Sequence, residues 1–420
     1  MDISISPSRL AGGIEAVDSK SDAHRLLISA ALSKTKTEIR LRNQSKDISA
    51  TINCLKSLGC AAEYTASGIL IIRPFAERTA KQPVLDCGES GSTLRFLLPV
   101  AAAVCGGFTI TGGGRLPRRP LAPVLEAMSA NGCSFSGKCL PITVSGMLHS
   151  GKFMLPGDIS SQFISGLLFA LPLLEGRSEV VLTTPLESSG YVDMTVSTLA
   201  KFGISAGIYE NRYTVNGGQQ YVSPGTATVE GDWSNAAFWL AAGAVNGSIS
   251  CSGLRQDTLQ SDRRIMELLR QMGAEVEYDN TAVRVKNKSL TAIDVDASEI
   301  PDLVPVLAAV CSVSKGTSVI RNIARVRLKE SDRLHGMAVN LNAIGADVKE
   351  QEDLLVINGK SKLAGGVADG FNDHRIVMAL AAVSAACEKE IVIKGIQAVE
   401  KSYPDFFNDF IKLGGKANVI

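Results

Sequence analysis

The sequence has no surplus of charge: 43 Lys and Arg stand against 42 Asp and Glu, a formal net charge of +1 over 420 residues. A general polyanion binder relying on a broad positive field is excluded, so any anion site must be local. A long hydrophobic run is also missing. The longest apolar stretches, such as Leu167 to Leu174 and Phe96 to Cys105, fall well short of the roughly 20 residues that span a bilayer, so no membrane span is expected. The start, Met1-Asp2-Ile3-Ser4, has neither the basic region nor the apolar core of a secretory signal, which leads to the expectation of a cytoplasmic protein. The nine cysteines form no C-x-x-C pair, and the four histidines are dispersed at His24, His149, His335 and His374. Neither a metal site nor a redox couple is expected. Cys105, Cys311 and Cys387 read as small buried hydrophobes in a reducing compartment.

What is present is a repeat. A helix-like run ending in Gly and leading into a strand occurs six times, at Leu58-Gly59, Asn131-Gly132, Phe202-Gly203, Met272-Gly273, Ile344-Gly345 and Leu413-Gly414. Successive glycines lie 73, 71, 70, 72 and 69 residues apart. Gly is the expected left-handed residue just past a helix end. The alternation that follows, as in Ala274-Glu275-Val276-Glu277-Tyr278, reads as a half-buried strand.

Between these helices lies a second series, apolar almost all round: Arg25 to Leu32, Ser92 to Cys105, Phe163 to Leu174, Asn235 to Val245, Asp302 to Ser312 and Arg375 to Cys387. Such helices must be buried. Each leads into a strand signal, so the unit is βαβαββ, the class is α/β (α+β), and six units give two halves of three. The expected domains are residues 18–228, carrying repeats one to three, and residues 1–17 with 229–420, carrying repeats four to six. The strand at Ile3 to Ile5 would complete the last sheet of the second half.

In such a repeat the buried helices of each half start at one end, where partial positive charges and free N–H groups converge on an anion. The residues at these starts are Ser19-Lys20-Ser21 with Arg25, Gly88-Glu89-Ser90-Gly91-Ser92 with Arg95, Ser160-Ser161-Gln162, Asp232-Trp233-Ser234-Asn235, Pro301-Asp302 and Asp373-His374-Arg375. Ser and Asp there are ordinary caps on one reading. Lys and Arg oppose the macrodipole unless an anion sits among them. The outer helices add Arg115-Leu116-Pro117-Arg118-Arg119, Ser188-Ser189-Gly190-Tyr191, Arg325 to Arg333 and Lys401-Ser402-Tyr403-Pro404-Asp405, charged or polar segments at equivalent points of the repeat.

Taken in order, Ser19-Lys20-Ser21 with Arg25, Glu89-Ser90-Gly91-Ser92 with Arg95, Arg119-Pro120, Ser160-Ser161-Gln162-Phe163, Lys329-Glu330-Ser331-Asp332-Arg333, Asp373-His374-Arg375 and Lys401-Ser402-Tyr403-Pro404-Asp405 closely resemble the 5-enolpyruvylshikimate-3-phosphate synthase family over essentially the whole chain. The resemblance implies a two-domain inverse α/β prism with its active site in the interdomain cleft. It implies transfer of the enolpyruvyl group of phosphoenolpyruvate to shikimate 3-phosphate, with no cofactor and no metal. By the same resemblance, Lys20, Ser21, Arg25, Ser160, Ser161, Gln162, Ser188, Asp302, Arg325 and Lys329 hold shikimate 3-phosphate. Lys20, Gly91, Arg119, Gln162, Arg333, Arg375 and Lys401 hold phosphoenolpyruvate, and Lys20, Asp302 and Glu330 are catalytic. Two phosphates and two carboxylates must be brought together, and fixed cations and amides offset their repulsion. Glu330 is expected to move the proton of the methyl carbon and Asp302 to orient and deprotonate the 5-hydroxyl. The chain departs from the family's frequent Asn at Glu89 and at Arg325. Gly91 stands where larger residues go with glyphosate resistance in the family, which implies sensitivity.

A UDP-N-acetylglucosamine enolpyruvyl transferase of the same fold would carry Lys-Asn at the first helix and a Cys in the basic loop. Here Ser21 follows Lys20, and Arg115 to Arg119 contains no Cys. An RNA-terminal phosphate cyclase, or a silent repeat protein that has lost Lys20, Asp302 or Glu330, fits less well. The expected partners are the small-molecule substrates alone, with neither nucleic acid nor membrane, and the expected state is a monomer.

Overall fold

The computed structural model describes residues 1–75, 82–279 and 281–420. The chain divides into two compact units, Asp18–Val229, and Met1–Val17 together with Glu230–Ile420.

The unit Asp18–Val229 holds helices α1 (Lys20–Leu32), α2 (Lys46–Ser57), α3 (Gly91–Val104), α4 (Ala122–Ser129), α5 (Ser161–Ala170) and α6 (Ser189–Lys201). Its three sheets share one strand order: a parallel pair, then two strands added antiparallel. In the first, Thr226–Thr228 lies parallel to Thr37–Arg40, which pairs with Ile69–Arg73 and through it with Ala61–Tyr64. The second runs Val84–Asp86, Gly107–Thr111, Ile142–Ser145 and Ser134–Phe135, and the third Lys152–Leu155, Arg177–Leu182, Arg212–Asn216 and Gly207–Tyr209. Every second residue of these strands faces inward, as with Phe108 and Ile110, both fully buried. The helices α1, α3 and α5 close the same core from inside. In α3 Leu94, Phe96, Leu97, Leu98 and Val100 are all buried, so no face of the helix meets water.

The second unit holds α7 (Trp233–Asn246), α8 (Ile265–Gln271), α9 (Val304–Cys311), α10 (Arg333–Ala343), α11 (His374–Val383) and α12 (Phe406–Lys412). Its sheets repeat the order: Leu10–Glu15, Gly247–Ser252, Ala282–Lys286 and Glu275–Tyr278; Asp294–Asp296, Thr317–Arg321, Leu355–Asn358 and Asp347–Glu350; Gly366–Asp369, Ile391–Lys394, Asp2–Ser6 and Lys416–Val419. The first strand of the chain thus sits between two of the last, antiparallel to both, with Ile3 opposite Ile393 and Val419.

All six repeat-marking glycines have positive φ, at 100° for Gly59 and Gly132, 76° for Gly203, 98° for Gly273, 99° for Gly345 and 96° for Gly414. Of the buried helices, α5, α9 and α11 are shorter than their apolar runs. Pro172 and the small residues Ser384 to Ala386 tighten the last turns into 3-10 segments, Leu171–Leu173 and Ser384–Ala386. Asp302 likewise precedes α9, on the 3-10 turn Pro301–Leu303. Among the described residues no helix is long and apolar enough to cross a membrane.

Candidate active site

In the unit Asp18–Val229, the starts of α1, α3, α5 and α6 are tied to one another by side chains. Lys20, the first residue of α1, meets the Asp47 carboxylate of α2 at 2.7 Å. Arg25 is 2% exposed and donates to Thr195 Oγ1 at 2.9 Å and to the carbonyls of Tyr191 at 2.6 Å and Ser21 at 2.5 Å, so it joins α1 to α6. Burial lowers its pKa to about 10, against the opposing pull of Asp22 and Tyr191, and it remains a cation at neutral pH. Its guanidinium lies 5.1 Å from the Phe96 ring centre.

Arg95, one turn into α3, donates to Gln162 Oε1 at 3.0 Å, and Gln162 Nε2 returns a bond to Ser92 Oγ at 2.8 Å, which ties α3 to α5. Arg119, on the loop after the 3-10 turn Leu116–Arg118, reaches the same helix start. A methyl group on Gly91 would lie 2.5 Å from Arg119 Nη1 and 2.7 Å from Arg95 Nη1. Two guanidiniums therefore close on the first residue of α3, whose N–H groups also point outward. This is a cradle for an anion. Glu89 packs against Gly114, whose φ is +57°, and a side chain there would run into its carboxylate.

The helix starts are not alike in their caps. Ser19 and Ser90 accept from the backbone N–H of Asp22 and Thr93, as ordinary caps do. Ser160 at the start of α5 and Ser188 at the start of α6 make no capping bond, and Ser188 has φ 55°, a left-handed conformation costly for a residue with a Cβ. Ser161 is buried, at 6% exposure. Ser160 and Ser161 thus stand together at the start of α5, and Ser188 at the start of α6.

In the unit of Met1–Val17 with Glu230–Ile420, charge collects around Arg333, the first residue of α10. Its Nη1 lies 2.8 Å from Asp302 Oδ1, its Nη2 2.6 Å from Glu330 Oε2 and its Nε 2.8 Å from Asp373 Oδ2. Burial works against its charge, but Asp373, Glu330 and Asp302 raise its pKa well above the ordinary value. Asp302 also meets Arg375 Nη2 at 3.1 Å and Lys329 Nζ at 3.5 Å, and its carbonyl accepts from Arg375 Nη1 at 3.2 Å. Burial alone would raise its pKa. Arg375, Lys329 and Arg333 outweigh it and hold the carboxyl well below the usual range. Lys329 is lowered to about 8, by burial first and by Arg333 and Arg325 next, with Asp302 opposing. Arg325 bonds the Ser298 carbonyl.

Asp373 caps α11 through Arg375 N–H at 2.9 Å while accepting from Arg333 and from Ser331 Oγ at 3.0 Å. Lys401 is 6% exposed and donates to the Asn372 carbonyl at 2.5 Å. Phe371 and Asn372 both have positive φ, so Lys401 props a strained turn directly before α11. His374 is buried with Nδ1 3.8 Å from Asp373 Oδ1, beyond hydrogen-bond reach.

Sequence reasoning missed Asp47 and Asp262. Asp262 is fully buried and takes a short bond from Ser234 Oγ at the start of α7. Its pKa is pushed up to about 6, by burial and then by Asp302, against Arg375 and Ser234. A signal for it exists: Ser261-Asp262-Arg263 repeats the tripeptide Ser331-Asp332-Arg333 at a distance of 70 residues, one repeat. Among the described residues no group of three or more His, Cys, Asp or Glu is placed to hold a metal ion.

Helix starts in each unit, lined by Arg and Lys with carboxylates among them, suit a small substrate with several anionic groups and a proton to move. Among solved structures, the fold is similar to EPSP synthase from Acinetobacter baumannii, with a TM-score of 0.84 and 24% identity over the whole of both chains. It is also similar to the enolpyruvyl transferase NikO from Streptomyces tendae, with a TM-score of 0.81 and 17% identity over 99% of this chain and 98% of that one. The fold is that of the enolpyruvyl transferases. The family model of EPSP synthase (3-phosphoshikimate 1-carboxyvinyltransferase) matches residues 5–410, and the chain belongs to that family. It is 46% identical over 418 residues to the 3-phosphoshikimate 1-carboxyvinyltransferase of Clostridium kluyveri, covering 99% of this chain and 97% of that protein. Identity to the protein of the same name in Clostridioides difficile is 42% over 429 residues, covering 99% of this chain and 98% of that protein.

Proposed function

We propose that these residues transfer the enolpyruvyl group of phosphoenolpyruvate to the 5-hydroxyl of shikimate 3-phosphate, releasing inorganic phosphate. The observation that carries the assignment of roles is Arg333, which holds Asp302 and Glu330 on one guanidinium at 2.8 Å and 2.6 Å. Two carboxylates fixed side by side are what an addition and elimination needs. The hydroxyl oxygen bonds to C2 of the enolpyruvyl group while C3 gains a proton. Then C3 loses a proton and the C2–O bond to phosphate breaks.

Asp302, kept ionised by Arg375, Lys329 and Arg333, is the acceptor that orients the 5-hydroxyl and takes its proton. Glu330 gives a proton to C3 and removes one in the second step. Lys20 neutralises the departing phosphate. Shikimate 3-phosphate is assigned to Lys20, Ser21, Arg25, Ser160, Ser161, Gln162, Ser188, Asp302, Arg325 and Lys329. Ser160 supports this, since its hydroxyl makes no capping bond to its own helix. Phosphoenolpyruvate is assigned to Lys20, Gly91, Arg119, Gln162, Arg333, Arg375 and Lys401. The cradle at Gly91 supports this part. A cytoplasmic monomer acting without cofactor, metal or nucleic acid completes the proposal, resting on the formal charge of +1 and the scattered cysteines.

The test is phosphate release from phosphoenolpyruvate with shikimate 3-phosphate or UDP-N-acetylglucosamine as acceptor, with Glu330→Gln alongside. Release with shikimate 3-phosphate only, reduced at least about a hundredfold in the variant, is expected for loss of a general acid–base group. Release with the sugar nucleotide would overturn the acceptor, and a fully active variant would overturn the role of Glu330.

A further inference from the structure

The proposed mechanism leaves His24 unused, although it sits inside α1 next to Arg25 and one turn from Lys20. Its side chain starts a chain of buried hydrogen bonds that ends at the anion cradle. His24 Nδ1 is 2.7 Å from Thr51 Oγ1, and Thr51 Oγ1 is 2.6 Å from Thr93 Oγ1. Thr93 Oγ1 donates to Ser90 Oγ at 2.7 Å, with a longer contact of 3.4 Å to the Asp47 carbonyl. Ser90 Oγ in turn caps α3 by accepting from Thr93 N–H at 3.2 Å. His24, Thr51, Thr93 and Ser90 are all 0% exposed, so no water competes for these bonds.

The direction of the chain follows from counting hydrogens. The single hydroxyl hydrogen of Thr93 goes to Ser90, so the bond between the two threonines must be donated by Thr51. Thr51 then has no hydrogen left for the ring and must accept from Nδ1–H. The ring is therefore neutral with its hydrogen on Nδ1. Its Nε2, which has no hydrogen-bond partner among the described residues, carries only a lone pair. A buried N–H without an acceptor is rarer than a buried acceptor without a donor, which favours the same tautomer. Burial, with Lys20 and Arg25 nearby, keeps the ring from taking a second proton. Phe96 meets the ring edge-on, with centroids 6.4 Å apart.

We infer that His24 is a positioning residue for the reaction, fixing the first turn of α3 through Thr51, Thr93 and Ser90 so that its N–H groups and Gly91 stay aligned with the anion. The inference rests on the assignment of phosphoenolpyruvate to that helix start. Alignment matters there because the space at Gly91 is bounded by two guanidiniums closer than an ordinary methyl contact.

The experiment varies both substrates for wild type, His24→Leu, His24→Asn, Thr93→Val and the double variant of His24→Leu with Thr93→Val. His24→Leu and Thr93→Val should each raise the KM for phosphoenolpyruvate roughly five- to tenfold, the size of one buried hydrogen bond. KM for shikimate 3-phosphate and kcat should stay within about twofold, since the chain ends at the α3 start. The double variant should be no worse than Thr93→Val, because both act through one chain. Asn places an amide N–H where Nδ1–H stood, so His24→Asn should restore most of the affinity. In the wild type, nitrogen NMR of the ring should show the Nδ1–H tautomer. Should His24→Leu fail to fold, the near-isosteric Thr93→Val and the ring tautomer still decide. An unchanged KM for phosphoenolpyruvate, equal rises in both KM values, or a hydrogen on Nε2 would overturn the role of His24 in an otherwise active enzyme. A wild type that does not use phosphoenolpyruvate would instead overturn the assignment beneath it.

Discussion

At the residue scale, Gly91 and Lys329 are placed where small changes decide affinity. Gly91 is the first residue of α3, and its backbone is helical, so Ala is no strain there and is the better helix former by about 1 kcal/mol. The added methyl, however, falls 2.5 Å from Arg119 Nη1 and 2.7 Å from Arg95 Nη1. Guanidinium tips can move, but moving them shifts the cations that face the anion. Gly91→Ala is expected to raise the KM for phosphoenolpyruvate about tenfold, leave that for shikimate 3-phosphate within about twofold, and leave the melting temperature unchanged or higher. Equal effects on both substrates would remove phosphoenolpyruvate from this helix start. Lys329 gives a pH dependence. Its pKa is lowered to about 8, chiefly by burial. In the folded protein it sheds its proton near pH 8, whereas an unfolded lysine keeps it to about pH 10. The unfolded chain thus binds more protons across that window, and this group's contribution to stability rises with pH through it. Binding has the opposite sign, because an anionic ligand needs the ammonium. The KM for shikimate 3-phosphate should climb above about pH 8, and Lys329→Arg, charged throughout, should push that edge upward. A KM that is flat between about pH 6 and pH 10 would remove Lys329 from the site.

At the element scale, the repeat was legible because it rests on local chemistry. A helix end needs a residue free to adopt positive φ, and all six glycines picked out by spacing have it. The buried helices were legible because no polar face interrupts them. Their ends were not, since Pro172 and the run at Ser384 tighten the chain only within the last turn. The site was half legible. Residue type told that cations stand at helix starts, but not which carboxylate meets which cation: Lys20 finds Asp47, 27 positions away, and Arg333 finds Asp302 and Asp373. Nor could sequence tell a capping serine from an uncapping one: Ser90 and Ser160 are the same residue at the same place, and what separates them is the backbone, with φ −78° at Ser90 and −161° at Ser160. The glycines themselves allow a test of this reading. A side chain at Gly345 would be strained at φ +99° and would also lie 2.8 Å from the Ala364 backbone nitrogen, while at Gly203, φ +76°, the nearest atoms are Val222 carbons at 3.6 Å. Gly203→Ala should lose about 1 kcal/mol from left-handed strain alone, and Gly345→Ala about 2 to 3 kcal/mol, the excess reflecting the backbone clash. Denaturant midpoints would measure both, and equal losses would mean that the Ala364 segment yields freely.

At the scale of the whole molecule, the order of the chain and the order of the fold disagree. Residues 18–229 form one unit without interruption, but the other is assembled from Met1–Val17 and Glu230–Ile420. The short N-terminal piece is not decoration. Asp2–Ser6 is an inner strand, paired with Ile391–Lys394 on one side and Lys416–Val419 on the other, and Leu10–Glu15 runs parallel to Gly247–Ser252. Ile3, Ile5, Leu10 and Ile14 from this piece are buried in the same core as α7, α9 and α11. At about 1.5–3 kcal/mol for each such side chain, their removal forfeits on the order of 6–12 kcal/mol, as much as the whole stability of a typical domain. A fragment of residues 230–420 should therefore fail to fold cooperatively, while residues 18–229, whose core among the described residues draws on nothing outside that span, should fold alone. The geometry also supplies the remedy. Ile3 lies opposite Val419, and Ile420 donates its N–H to the Asp2 carbonyl at 3.0 Å, so the two ends already sit as the arms of an antiparallel hairpin. A short Gly-rich loop joining Ile420 to Met1 would turn residues 230–420 and 1–17 into one continuous chain with native strand order. That permuted fragment should unfold in a single cooperative transition by circular dichroism where 230–420 shows none, and cooperative unfolding of 230–420 alone would show that the inner strand is dispensable.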